Sequence, residues 1–369
     1  MKIAALDFIA LAVPAEPPPV TSFGLMLRRS ALLVRARDAD GAYGWGEIWC
    51  NFPLRAMAAR KALGEDVFAP VLLGAAFDGP QAAHAHLAKR THVLSLQTGE
   101  PGTFAQVLAG IDQALGDLAA RNAGLPLWKF LGGTGGSVAT YASGLGPEGA
   151  DAQAAAKRAE GFDAFKLKIG FAAERDRANL AALRAGAGPG ATIMADANQA
   201  WDVDEACKRA DMYAEFGLDW LEEPLPADRP IEEWRRVAAA APMQLAAGEN
   251  LRDGAFDAAI ESLTLGVLQP DIAKWGGFTR CLPLAKMAMA SGLRFCPHFL
   301  GGAVGLAASA HLLAAAGGGG RLEIDAQNNA LRDRLLPDFP RVRDGRLTLP
   351  DRPGLGYDPD PDMLKASAV

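Results

Sequence analysis

The chain has 369 residues, half of them apolar and 22% charged, with a formal net charge of -6 and a pI near 5.5. That length suits one large domain with an accessory one, and the apolar content excludes a largely disordered chain. An acidic surface repels phosphate backbones, which argues against nucleic acid as a partner; an anionic ligand would need a local cation to overcome the same field.

Residues 2–15 start with Lys2 and run apolar to Ala15, but Asp7 interrupts the run and weakens a signal-peptide reading. Ala31–Arg37 reads as a strand, Asp38-Ala-Asp-Gly41 as a turn, and Tyr43–Ile48 as a second strand. Residues 54–63 and 79–93 are Ala-rich without breakers and read as helices. Phe104, Val107, Leu108, Ile111, Leu115 and Leu118 keep helical spacing over 104–122. From about residue 138 the pattern changes. Eight β-prone runs recur: Val138–Ala142, Ala164–Ile169, Thr192–Asp196, Leu218–Glu222, Met243–Gly248, Gly266–Gln269, Arg294–Pro297 and Arg321–Ile324. Ala-rich amphipathic stretches alternate with them. Alternation implies a parallel sheet with crossover helices, and eight units imply a closed α/β barrel. Phe299–Ala316 is nearly uncharged, but it is rich in Gly and Ala and carries Ser309 and His311. It reads as a helix buried within a soluble protein, with no membrane partner. The division expected is an α+β capping domain over 1–125, a barrel over 126–325, and a segment over 326–369 that returns to the cap. Cys50, Cys207, Cys281 and Cys296 are too dispersed for a metal clip or a disulfide framework; free thiols in a reducing cytoplasm are expected.

In such a barrel the chemistry lies at the C-terminal ends of the strands. Lys168, Asp196, Glu222, Glu249, Asp271, His298 and Glu323 stand at the ends of strands two to eight, spaced 22 to 28 residues apart. One βα unit per residue gathers them into one mouth. Asp196, Glu222 and Glu249 come from consecutive strands, and three converging carboxylates repel unless a cation sits among them. Oxygen-only ligands suit a hard ion such as Mg²⁺. Lys166 and Lys168 alternate on one strand, so both face one side. If that side is the barrel interior, crowding and burial should lower their pKa values and yield a base. Asp271 and His298 are on neighbouring strands, where the carboxylate can fix the imidazole tautomer. Glu323 could hydrogen-bond a developing enolate oxygen, and Lys274 reads as a supporting residue. His84, His86, His92 and His311 read as structural, the first three on helix surface.

The strings Lys166-Leu-Lys168, Asp196-Ala-Asn198, Glu222-Glu-Pro224, Gly248-Glu-Asn250, Pro270-Asp271 and Pro297-His298 resemble the enolase superfamily, and within it the mandelate racemase subgroup. The resemblance spans nearly the whole chain. It implies a (β/α)7β-type TIM barrel with an α+β N-terminal capping domain, whose loops near 14–24 and 49–55 shape the substrate pocket. Asp196, Glu222 and Glu249 would bind one Mg²⁺, with Mn²⁺ an open alternative. Lys168 would be the base on one face, assisted by Lys166. His298, paired with Asp271, would serve the other face, and Glu323 would donate to the enolate oxygen. Asn198, Asn250, Trp49 and Phe23 would meet the small carboxylate substrate. The sister muconate-lactonizing subgroup has a catalytic lysine where Asp271 stands, and tends to have Asp where Glu249 stands; both points favour the mandelate racemase subgroup. The implied reaction is α-proton abstraction to an enediolate, leading to dehydration of an acid sugar or related α-hydroxy acid to a 2-keto acid. The same residues would serve a racemase or epimerase, and a non-catalytic carboxylate-binding barrel is the remote alternative. Symmetric homo-oligomers are also implied.

Overall fold

The computed structural model describes residues 1–21 and 24–369. The chain opens with β1 (Ile3–Pro14), a two-residue ladder of β2 (Val20–Thr21) and β3 (Gly24–Leu25), then β4 (Arg28–Asp38) and β5 (Tyr43–Ile48). β1, β4 and β5 form an antiparallel sheet with β4 in the middle. The apolar run at residues 2–15 is thus a strand, and Asp7, which breaks it, sits opposite Arg35 and pairs with Arg35 and Arg37. Helices α1 (Ala56–Leu63), α2 (Ala69–Leu72), α3 (Pro80–Thr98), α4 (Pro101–Asn122) and α5 (Leu127–Phe130) follow. The middle of α4 is buried almost all round, as a helix wedged between two layers must be. Gly44 and Gly46 let β5 sit directly on it, because a Cβ at either would overlap the α4 backbone at Ala114 or Gly110.

The barrel alternates strictly. Its first half is β6 (Ser137–Leu145), α6 (Ala150–Ala159), β7 (Ala164–Lys168), α7 (Ala173–Ala187), β8 (Thr192–Asp196), α8 (Val203–Met212) and β9 (Trp220–Glu222). The second is α9 (Ile231–Ala240), β10 (Gln244–Ala247), α10 (Gly254–Ser262), β11 (Val267–Leu268), α11 (Gly277–Ala290), β12 (Arg294–Phe295), α12 (Ala303–Ala316) and β13 (Arg321–Asp325). All eight predicted runs are strands. They lie parallel in the order β12-β11-β10-β9-β8-β7-β6-β13. The barrel is nearly closed: at the β12/β13 seam Arg321 N donates to Cys296 Sγ at 3.3 Å. Seven helices between eight strands make this the (β/α)7β form. α13 (Ala330–Asp333), β14 (Arg346–Thr348) and α14 (Pro361–Ser367) end the chain. β14 pairs with β6, while Val369 N donates to Ala10 O on β1. The apolar stretch at 299–316 contains α12, buried along nearly its whole length. Among the described residues no helix is long and apolar enough to cross a membrane.

The barrel interior is layered, and the layering places the site. Tyr141, Ala164, Met194, Trp220, Ala246, Val267 and Cys296, one from each of seven successive strands, form a buried apolar floor. Side chains alternate along a strand, so the residues two positions on point into the same space. Those are Ser143, Lys166, Asp196, Glu222, Gly248, Gln269 and His298. The floor is apolar and the next layer is almost wholly polar. Gly248 is the exception because the Gln269 backbone fills the position its Cβ would take. The outward residues Phe165, Leu167 and Ile169 pack against the helices.

Candidate active site

The row Lys168, Asp196, Glu222 is set by strand register: Lys168 pairs with Asp196, and Asp196 with Glu222. Lys166 Nζ donates to both Glu222 oxygens at 2.6 and 2.7 Å and lies 2.8 Å from Glu323 Oε1. Lys168 Nζ donates to Asp196 Oδ2 at 2.5 Å. Lys274 Nζ donates to Glu249 Oε2 at 2.8 Å. Burial alone would depress both strand lysines. Glu222 and Glu323 beside Lys166, and Asp196 beside Lys168, nevertheless hold both ammonium groups above their usual range. This corrects the expected lowering: the carboxylates each lysine meets outweigh the repulsion between the two.

Asp271 and His298 form a bridge between their backbones, and His298 Nδ1 lies 2.8 Å from Asp271 Oδ2. Asp271 Oδ1 accepts from Ala273 N at 2.8 Å, which fixes the carboxylate's rotation. The other ring nitrogen, Nε2, faces Glu249 Oε2 at 3.3 Å and Glu323 Oε2 at 4.0 Å. Burial would push this imidazole down, but Glu249, Glu323 and Asp271 raise it to about 9. Glu323 accepts from Ser143 Oγ, and its second oxygen from Phe299 N at 3.3 Å. Strands β12, β13, β6 and β7 are successive around the barrel, so His298 and Lys168 stand on opposite sides of the mouth.

Charge in this chamber does not balance. Among the described residues, Asp196, Glu222, Glu223, Glu249, Asp271 and Glu323 face Lys166, Lys168, Lys274 and His298 as their cations. The surplus is visible in Glu222, pushed up to about 7 by burial and by Asp196, and in Glu223, raised by burial and by Glu249. Tyr141 Oη and Gln269 Oε1 are buried in the same chamber without a hydrogen-bond partner among the described residues. An all-oxygen set with surplus negative charge fits a hard divalent cation. As placed, no three His, Cys, Asp or Glu side chains among the described residues converge closely enough to hold an ion; Glu222, Asp196 and Glu249 lie instead against Lys166, Lys168 and Lys274.

A family model described as mandelate racemase / muconate lactonizing enzyme, N-terminal domain, matches residues 5–132, and one described as enolase C-terminal domain-like matches residues 150–363. The chain belongs to the mandelate racemase/muconate lactonizing enzyme family of the enolase superfamily. A D-galactarolactone cycloisomerase from Agrobacterium fabrum is 33% identical over 99% of this chain and 98% of its own. A crystal structure of mandelate racemase/muconate lactonizing enzyme from Bordetella bronchiseptica is 48% identical, covers 99% of each chain and matches with a TM-score of 0.93. A racemase from Streptomyces coelicolor with bound magnesium is 28% identical, covers 100% of each chain and has a TM-score of 0.89. Other relatives bear the names of dehydratases and of racemases or epimerases, so lyases and isomerases both occur among them.

In this mandelate racemase/muconate lactonizing enzyme family member the residues expected to meet substrate are placed unevenly. Asn198 gives its amide and its backbone N–H to Asp196 Oδ1, both at 2.8 Å. Asn250 Nδ2 donates to both Glu223 oxygens at 3.0 Å. These amides hold acids rather than open space. Trp49 lies at the mouth, its ring 4.7 Å from Lys274 Nζ. Phe23 lies outside the described residues. A pocket of about 360 Å³ opens between residues 25–30 and 51–54, and Asn51 Nδ2 ties its wall to Leu300 O at 2.6 Å, two residues beyond His298. Among the other histidines, His92 is exposed, but His84 is buried against the barrel rather than on helix surface, with Gly276 beside its Nε2. The four cysteines are free.

Sequence reasoning missed Ser143, Gln269 and Glu223. Gln269 Nε2 donates to Glu222 Oε2 at 2.7 Å. Ser143 and Gln269 lie two residues past floor positions, so period-two counting from an apolar layer would have found them.

Proposed function

We propose that this protein abstracts the α-proton of a small carboxylate substrate to give an enediolate, and that the principal outcome is dehydration of an acid sugar or related α-hydroxy acid to a 2-keto acid. The observation that carries this reading is the pair of proton-transfer groups, Lys168 and the His298–Asp271 dyad, on opposite sides of one carboxylate cluster. Asp196, Glu222 and Glu249 would hold Mg²⁺. When bound, the cation supplies Lewis-acid charge that makes the weakly acidic α-proton removable. Lys168 would take that proton from one face as the neutral amine, a form open to it once Asp196, the carboxylate that holds its proton, is engaged by the cation instead; Lys166 is buried behind it. His298 lies across the mouth with its Nδ1 bonded to Asp271, which leaves Nε2 turned to the chamber to take or to give a proton. When protonated it can donate to a β-hydroxyl as that group leaves. Glu323 acts on the developing enolate oxygen through a proton shared with Lys166 or His298, both of which border it. Expulsion of a ring oxygen instead of water is the same elimination on a cyclic substrate, which suits the similarity to a cycloisomerase.

A second reading is racemisation or epimerisation with Lys168 and His298 as opposed bases. Leu25, Leu27 and Leu54 are exposed around the pocket and favour a less polar acid. An acid without a β-leaving group can only be reprotonated.

Proton NMR in D₂O with Mg²⁺ over acid sugars, α-hydroxy acids and amino acid derivatives tests both. Loss of an α-proton signal with growth of a 2-keto acid supports dehydration. Deuterium incorporation without elimination supports the second reading. No change with any acid, at enzyme concentrations near those of substrate, would remove both.

A further inference from the structure

Glu47 is buried and, among the described residues, forms no ion pair with a lysine or arginine. Its carboxylate crosses from β5 of the cap to the start of α12, where Oε1 accepts from Gly302 N at 2.6 Å and Oε2 from Gly305 N at 2.8 Å. The first turn of a helix offers unpaired N–H groups and partial positive charge, so a carboxylate is well placed there. Glycine at 301, 302 and 305 leaves the room. A Cβ at Gly301 would stand 2.7 Å from Glu47 Oε1, and one at Gly305 would overlap the Phe299 ring. Phe299 follows His298 directly. The seat of Glu47 and the seat of the residue beside His298 are therefore the same three-glycine cradle.

The clamp extends to the other half of the dyad. Gln113 Oε1 accepts from Glu47 N at 3.2 Å, while Gln113 Nε2 donates to Glu47 O at 3.0 Å and to Ile272 O at 3.2 Å. Trp49 N donates to Ala273 O at 3.3 Å. Ile272 and Ala273 follow Asp271. Glu47 of β5, Trp49 just beyond it and Gln113 of α4 thus grip both segments that carry the dyad. Among the described residues, no hydrogen bond joins residues 1–125 to residues 164–250, which carry Lys166, Lys168, Asp196, Glu222 and Glu249.

We propose that Glu47 is a positioning residue that, through the first turn of α12 and Phe299, sets His298 against Asp271, so that the His298 face of the site depends on the cap and the Lys168 face does not. The inference rests on the proposed function for its catalytic consequence but not for its geometry. Two measurements separate the two. In protein with ¹⁵N-labelled histidine, the ring proton shared by His298 and Asp271 is identified by its loss in His298→Asn. Glu47→Gln, which keeps the volume, and Glu47→Ala should each shift or broaden that signal at fixed pH. In D₂O, exchange from the substrate stereoisomer whose α-proton faces His298 should fall on the order of 10- to 100-fold, as small misplacements do. Exchange from the Lys168 side should stay within about twofold of wild type. An unchanged ring signal, or equal losses on the two faces, overturns the inference. If the wild type exchanges no acid at all, the proposed function has failed, and the ring signal alone decides the role of Glu47.

Discussion

Replacing Asp271 by Asn should disable the His298 face by changing which imidazole nitrogen carries the proton. Ala273 N donates to Asp271 Oδ1 and His298 Nδ1 meets Oδ2. A donor at Ala273 requires an acceptor, so the Asn carbonyl oxygen takes the Oδ1 place and its NH₂ turns to Nδ1. Nδ1 must then accept, and the ring proton moves to Nε2. Nε2 faces the chamber and can no longer take a proton from substrate. A wrong tautomer of this kind costs roughly 10³- to 10⁴-fold in rate. Loss of charge is the smaller effect, because Glu249 and Glu323 also hold His298 up. Asp271→Ala imposes no donor on Nδ1, so it should lose only about 10- to 100-fold. The assay is α-proton exchange in D₂O with Mg²⁺, read separately for the two stereoisomers of a substrate. An Asn variant within tenfold of wild type, or an Ala variant that falls as far as the Asn variant, refutes the tautomer argument.

Lys168→Ala should give the mirror-image result, abolishing exchange on its own face while the His298 face keeps measurable exchange; loss of both faces would show that the two do not act independently. His311 gives an acid-stability signature. Burial lowers its pKa to about 4, its Nδ1 accepting from Trp128 N and its Nε2 bonded to Leu355 O. A histidine depressed on folding contributes stability that is full above about 6.5 and is lost as pH falls toward 4. The loss is about 3 kcal/mol in all and about 2 kcal/mol by pH 5. Denaturant unfolding at pH 7.5 and pH 5 should show a smaller acid loss for His311→Gln than for wild type, and equal losses would exclude His311 as the source. Gly46→Ala puts a Cβ into the Gly110 carbonyl of α4, and overpacking against backbone should cost about 3 kcal/mol in the same unfolding experiment. A neutral result would mean that β5 can lift off α4 freely.

The eight strands were legible because each carries an apolar run between helix-forming stretches, and the polar strand ends were legible because one unit contributes one residue. Glu223 was not, for a backbone reason. Next to Glu222 in an extended strand its side chain would point outward. Its positive φ of 39° turns the chain instead, and the carboxylate joins Asn250 in the chamber. β1 was hidden because an apolar stretch near a chain start carries no sign of its strand partner, which lies across a turn in β4. His84 looked like surface because helical spacing reports a face, not what covers it; the cover is the barrel segment at Gly276, far along the sequence. The lysine protonation expected from the sequence went astray because period-two alternation shows that Lys166 and Lys168 share a face, but not how many carboxylates share it with them.

The two sides of the site have different mechanical origins. Lys168, Asp196 and Glu222 are locked by the ladders of β7, β8 and β9, whose register lines them up directly. Asp271 and His298 lie beyond β11 and β12, which are two residues long, so ladder hydrogen bonds stop before either is reached. Only one isolated bridge joins the dyad backbones. Such short strands cannot hold a hydrogen-bonded dyad to the tolerance that proton transfer demands. The missing constraints come from the cap: Gln113 on Ile272, Trp49 on Ala273, Asn51 on Leu300 and Glu47 on the first turn of α12. The cap therefore does more than close the mouth. It finishes the half of the site that the barrel leaves loose. A change in the cap that alters the pocket wall at Asn51 must then also bear on His298, while the lysine and carboxylate row stays under the control of the barrel alone.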